Sequence, residues 1–130
     1  MAEDDSGRVR EIARNAEGLY SSSLCIAELA CVFHRKIREG LVPADLAAKL
    51  RGLFLEDVRN GVWSLIPVTN ALLHRVEVMI RSFAPATHIR AGDAIHLTSA
   101  MESGFDEIWT NDRHLLAAAR AVGLRGRSAD

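Results

Sequence analysis

Three carboxylates sit where solvated surface residues are not expected. Glu28 has Leu24 four residues before it, Cys31 three after and Val32 four after, so a helix through this stretch gives it an apolar face. Asp93 stands in Arg-Ala-Gly-Asp-Ala-Ile-His-Leu and shares a helical face with Leu97 and Ala100, which points it toward a core. Asp112, in Trp-Thr-Asn-Asp-Arg, follows a short apolar run and opens the next helical stretch. That puts it beside the carboxyl end of a strand, where open α/β sheets bind ligands. Burying a lone carboxylate is costly unless it is neutralised, paired or bound to a cation. Plainer uses exist: an arginine partner at the edge of the stripe would account for Glu28, and helix capping for Asp93 and Asp112. Asn111 competes for the last of these caps, which leaves Asp112 freer to face a ligand. If the three acids converge, they suit a hard divalent cation such as magnesium, which takes oxygen ligands, keeps waters and can activate one against a phosphodiester. Manganese suits the same oxygens.

Other reactive side chains add less. His34, His74, His88, His96 and His114 show no metalloprotease spacing. His96, three residues after Asp93, can hydrogen-bond that carboxylate or reach a metal, although a structural role is the plainer one. Ser21, Ser22 and Ser23 have no local base and suit turns or caps. Cys25 and Cys31, on one helix and about 9 Å apart by helical rise, cannot pair. They fit no metal or redox pattern and are expected as buried thiols of a reduced, cytoplasmic protein.

The 130 residues, 48% hydrophobic and 25% charged, fit one domain that needs no disulfide or metal staple. Sixteen basic residues against seventeen acidic give a net charge of -1, so no global positive field draws the chain to a polyanion and any such contact must be local. Lys36 and Lys49 are the only lysines; the rest of the positive charge is arginine, whose fork suits phosphate oxygens. No apolar leader or membrane-length run is evident.

To bring the acids together, helical periods must alternate with short apolar runs, an α/β pattern. Helices are expected over residues 6–17, 24–39 and from Pro43 to Asn60-Gly61. The second turns Leu24, Ala27, Ala30, Cys31, Phe33 and Ile37 inward, the third Leu46, Leu50, Leu53, Phe54 and Val58. Residues 19–22 form a short strand and 62–68 a buried one. A helix over 69–83, with Leu72, Leu73, Val76, Met79 and Ile80 inward, leads into a loop over 84–91. A helix over 92–102, a strand over 107–110 and a helix over 112–122 follow, and Leu124 begins a last strand.

Three segments in this order and spacing, Ser23-Leu24-Cys25-Ile26-Ala27-Glu28, Ala91-Gly92-Asp93-Ala94-Ile95-His96-Leu97 and Thr110-Asn111-Asp112-Arg113, resemble a PIN domain of the VapC-like toxin group. The resemblance covers nearly the whole chain. It implies a three-layer α/β/α sandwich with a mainly parallel sheet, and a magnesium-dependent endoribonuclease of a toxin–antitoxin system. It makes Glu28, Asp93 and Asp112 the metal-binding and catalytic acids, with Thr110 and Asn111 in supporting polar roles. Arg90 and Arg113, by their location, are assigned to the RNA backbone. RNA, a cognate antitoxin and a second copy in a homodimer are the implied partners, with no membrane.

The chain departs from this family at its start. PIN domains open with a strand ending in an Asp-x-Ser-like motif, whose aspartate is the first metal ligand. Here Met1-Ala2-Glu3-Asp4-Asp5-Ser6 resembles the loop that follows the family's first strand and helix. The domain is therefore expected to be truncated relative to the family, with unpaired edges between residues 19–22 and 107–110 and weakened metal binding. Either an upstream gene segment was left out or another chain protects the gap. An alternative reading is a catalytically impaired PIN-like module for binding or dimerisation, and a third is an unrelated α/β protein whose acids are ordinary caps.

Overall fold

The computed structural model describes residues 18–128, so the helix expected over 6–17 lies outside the described residues. The elements run β1 (Leu19–Ser22), α1 (Cys25–Arg38), α2 (Ala44–Arg59), β2 (Trp63–Ile66), α3 (Asn70–Ser82), α4 (Ala91–Glu102), β3 (Glu107–Trp109), α5 (Arg113–Ala121) and β4 (Arg125–Arg127). The order is the expected α/β alternation.

Local chemistry sets the boundaries. Thr69 is extended, and its hydroxyl accepts from the Leu72 N–H at 3.1 Å, which starts α3. Pro43 is held at φ -64° just before α2. Gly123, at φ 84°, ends α5 by a reversal that lets the Leu124 N–H donate to the Ala119 carbonyl at 2.9 Å.

β1 pairs in parallel with β2, Leu19 opposite Trp63 through Ser22 opposite Ile66, and α1 and α2 make the crossover. β3 pairs in parallel with β4 around α5. Among the described residues these are two separate two-stranded sheets; no ladder joins β1 to β3. α4 packs against both strands and bridges the halves, with α3 laid on α4. The main core is Leu97 of α4 with Leu115, Ala118 and Ala119 of α5 and Leu124 before β4, surrounded by Met79, Phe83, Ile89 and Ile108. Gly126 lets β4 press on α5: a Cβ there would lie 2.8 Å from Leu116 Cδ2.

Burial departs from the helical periodicity on the α1–α2 side. Ala27, Ala30, Cys31 and Ile37 of α1 are exposed, as are Leu46, Leu50 and Leu53 of α2; of α2 only Ala47 is fully buried. Amphipathic spacing shows which face could be covered, not that something covers it. Here α1 packs on α2 and α2 on β2, with much of both stripes left bare. On α3, Leu72 and Val76 are buried, but Leu73 and Ile80 are exposed. The expected buried strand over 62–68 is only half-buried at Trp63, Leu65 and Ile66, because β2 pairs on one side only. The thiols are not buried either: Cys25 is half-buried and Cys31 exposed. No helix among the described residues is long and apolar enough to cross a membrane.

Candidate active site

The three acids approach from three helix beginnings. Glu28 is in the first turn of α1, Asp93 in the first turn of α4, and Asp112 caps α5. Each helix follows a strand or a loop reaching the same end of the fold. Gly92 lies where α1 meets α4: a Cβ at that position would stand in ordinary contact with Glu28 Oε2 at 3.4 Å and Leu24 Cδ2 at 3.8 Å.

Glu28 is not held by an arginine. Its Oε1 lies 2.5 Å from His96 Nε2, a contact between groups 68 residues apart, with 46% of the Glu28 side chain exposed against 21% of His96. His96 therefore binds Glu28 rather than its helical neighbour Asp93.

Asp93 is half-buried at the third position of α4 and is not a cap; Arg90 stands at the N-cap with no side-chain cap bond. Burial pushes its carboxyl above the usual aspartate range, and the negative charges of Asp112 and, less strongly, Glu28 push the same way against His96 and Arg90. A position in the first turn of a helix favours the ionised form, yet burial and like charge prevail.

Asp112 behaves oppositely. Its Oδ1 accepts from the His114 N–H at 2.8 Å and the Leu115 N–H at 3.2 Å, so Asp112 takes the cap for which Asn111 competed. The bond from Leu115 and then that from His114 hold its carboxyl below the usual range, with help from the His114 and Arg90 charges. Asp112 thus ionises first, and its charge is what Asp93 meets. The Thr110 hydroxyl accepts the Asp112 N–H at 3.1 Å and shapes this turn, while Asn111 Oδ1 accepts from the Ser128 hydroxyl at 2.7 Å. Arg90 and Arg113 are both exposed. The His88 and His114 rings, 4.9 Å apart, dock the loop before α4 beside α5; nothing in their spacing announced that contact.

Because Asn caps as well as Asp, Asp112→Asn is expected to cost only a few tenths of a kcal/mol and Asp112→Ala about 1 kcal/mol, read by urea denaturation at neutral pH. The advantage of the native carboxylate over Asn is present above the ordinary value of 3.8 and is lost as pH falls through its depressed folded value.

The donor set is all hard oxygen, and an ionised Asp93 facing two other carboxylates is the electrostatic condition that a divalent cation relieves. The acids fit such an ion in chemistry. Among the described residues, however, no three His, Cys, Asp or Glu side chains are gathered for one. Glu28 Oε1 is engaged by His96, and Asp112 Oδ1 by the helix cap.

No curated protein and no solved structure matches the chain. A family model described as PIN domain matches residues 2–121. PIN domains are generally nucleases and usually use divalent metal ions. With the match spanning nearly the full length and the folded chain showing parallel α/β units, the protein belongs to the PIN-domain family and has the general character of a nuclease.

Proposed function

We propose that the protein is a magnesium-dependent endoribonuclease of the VapC-like toxin type, active in the cytoplasm as a homodimer and restrained by a cognate antitoxin. One observation carries the reading: Asp93 is opposed in its ionised form by burial and by both other acids, Asp112 and Glu28. A carboxylate in such surroundings either keeps its proton or is stabilised by a bound cation. Glu28, Asp93 and Asp112 would hold magnesium, or manganese in its place. When bound, the ion supplies Lewis acidity toward water and toward the phosphate being cleaved.

The chain's own residues do the positioning. His96 fixes Glu28 against α4 through their short contact. Thr110 fixes the turn that presents Asp112, and Asn111 is tied back to Ser128. Arg90 and Arg113 offer exposed guanidinium forks to backbone phosphates, which positions RNA without reading its sequence. The test is cleavage of an end-labelled RNA by the purified chain with magnesium, with chelator, and with manganese after chelation. Internal cuts that vanish with chelator and return with either metal are expected; cuts that persist in chelator would overturn the metal role.

A second reading is a PIN module that binds or dimerises without cutting. It is favoured by the lack of a gathered metal-holding trio among the described residues and by the division of the sheet. It predicts antitoxin binding or self-association with no metal-stimulated cleavage.

A further inference from the structure

Three arginines line a groove along the outer edge of β4. The groove has a volume of about 530 Å³, and Arg120, Arg125 and Arg127 surround it with Gly123, Leu124 and Gly126 between them. No carboxylate lines it among the described residues. Like charges gathered round one space repel one another, and an anion between them relieves that repulsion.

Two of the guanidinium groups are held from the β3 side, outside the lining of the groove. Glu107 stands opposite Arg125, and Trp109 opposite Arg127, on one face of the β3–β4 pair. Arg127 Nε donates to Glu107 Oε2 at 2.8 Å, and its guanidinium carbon lies 5.9 Å from the centre of the Trp109 ring. The Trp109 Nε1–H donates to the same carboxylate at 3.3 Å. Bonded through Nε, Arg127 keeps both Nη groups for another acceptor. Arg125 Nη2 lies 3.4 Å from Asp106 Oδ2 and 3.6 Å from Glu107 Oε2. Arg120, in the last turn of α5, forms no ion pair with another described residue. The floor adds a main-chain donor. The Arg125 N–H donates to the Asp106 carbonyl at 2.9 Å, and the Arg127 carbonyl accepts from the Thr110 N–H at 2.9 Å. Backbone groups alternate sides along a strand, so the Gly126 N–H points away from β3 and toward the outer edge.

We propose that this groove binds the phosphate backbone of single-stranded RNA, continuing the path of a strand held at the acids. The ligand is taken from the nuclease reading, on which the proposal rests to that extent. Two guanidinium forks of fixed orientation, a third without an ion-pair partner among the described residues and an outward N–H are the donors that phosphate oxygens accept. Groups already held in place lose little freedom on binding. The groove also adjoins the candidate site: Arg127 is bonded to Thr110, two residues before Asp112, and Ser128 to Asn111. β4 has three residues and so spans about 10 Å. That is far short of the roughly 16 base pairs over which double-stranded RNA is gripped, so a single strand is the ligand that fits. A chain with a net charge of -1 can meet a polyanion only locally, and the β4 edge is such a place.

The test measures binding apart from cleavage. A fluorescein-labelled oligouridine of about twelve nucleotides is titrated with the full chain in chelator, and anisotropy is followed at several salt concentrations. Each phosphate contact on a single strand contributes about 0.7 to the slope of log affinity against log salt. Arg120→Gln with Arg125→Gln is therefore expected to reduce that slope by about 1.4 and to weaken binding about tenfold or more. Arg120→Gln alone, which breaks no ion pair among the described residues, should reduce it by about 0.7. Arg51→Gln, exposed on α2, should change neither slope nor affinity. Unaltered slope and affinity in both Arg120 variants overturn the proposal. So does equal affinity for uridine monophosphate, which would assign the groove to a free nucleotide. The two readings fail separately: chelator-sensitive cutting with an unchanged slope in the variants removes the groove and leaves the nuclease, whereas a reduced slope in a chain that never cuts does the reverse.

Discussion

Asp93→Asn is expected to abolish divalent-stimulated RNA cleavage while raising the thermal midpoint of the metal-free protein. The two effects have one cause. Folding places this carboxyl where burial, Asp112 and Glu28 disfavour its charge, so its folded pKa is raised. Between the ordinary value of 3.8 and the raised one, the folded state binds more protons than the unfolded, and stability falls as pH climbs through that window. Above it the full penalty persists, and an uncharged asparagine of the same shape removes it. The penalty is tolerable in a protein that meets a cation there, and for that cation the asparagine is a poor ligand. Loss of a group that merely supports a metal ligand typically costs about 10- to 100-fold, so loss of a ligand should exceed about 100-fold in initial cleavage rate. Magnesium titration calorimetry reads the binding directly. Unchanged affinity in the variant would remove Asp93 from the site, and an unchanged or lower midpoint would refute the electrostatic account.

The largest effect on stability should come from Leu97→Ala. Leu97 is 0% exposed and packs with Leu115, Ala118, Ala119 and Leu124. Truncating a core leucine costs about 2–5 kcal/mol, with the higher values where the surroundings cannot close over the space. Two of these neighbours are alanines, themselves 0% exposed, with no side chain to swing inward. A loss near 4 kcal/mol is therefore expected, a large share of the about 5–15 kcal/mol that holds a domain together. It should lower the thermal midpoint by roughly 10–15 °C. Leu50→Ala on α2, where 40% of the residue is exposed, serves as the control and should stay within about 0.5 kcal/mol. Similar losses at the two positions would mean that the core lies elsewhere.

The element order was legible because each boundary carries its own chemistry. Pro43, Thr69 and Asp112 start helices, and Gly40, Gly61, Gly104 and Gly123 end them at positive φ. Burial was not legible on α1 and α2, since a 3.6-residue period marks a face without naming its cover. At the site, the three acids could be singled out because they sit on apolar faces or at helix starts. What each one touches could not. Glu28 and His96 meet across 68 residues of sequence, and no spacing rule reaches that far. Asp112, extended and with its N–H bonded to the Thr110 hydroxyl, is the residue that caps, which the pair Asn111-Asp112 in sequence leaves open. The split of the sheet was expected from the resemblance.

The bare leucines of α2 also shape the thermodynamics of the whole chain. Leu46, Leu50, Leu53 and Leu55 meet water in the native state, so melting adds less to their hydration than it would for enclosed side chains. Heat-capacity change on denaturation tracks newly wetted apolar surface, about 12–15 cal/mol/K per residue in ordinary domains. This protein should fall below that value, and a small increment flattens the dependence of stability on temperature into a shallow dome, with cold and heat destabilising it gradually alike.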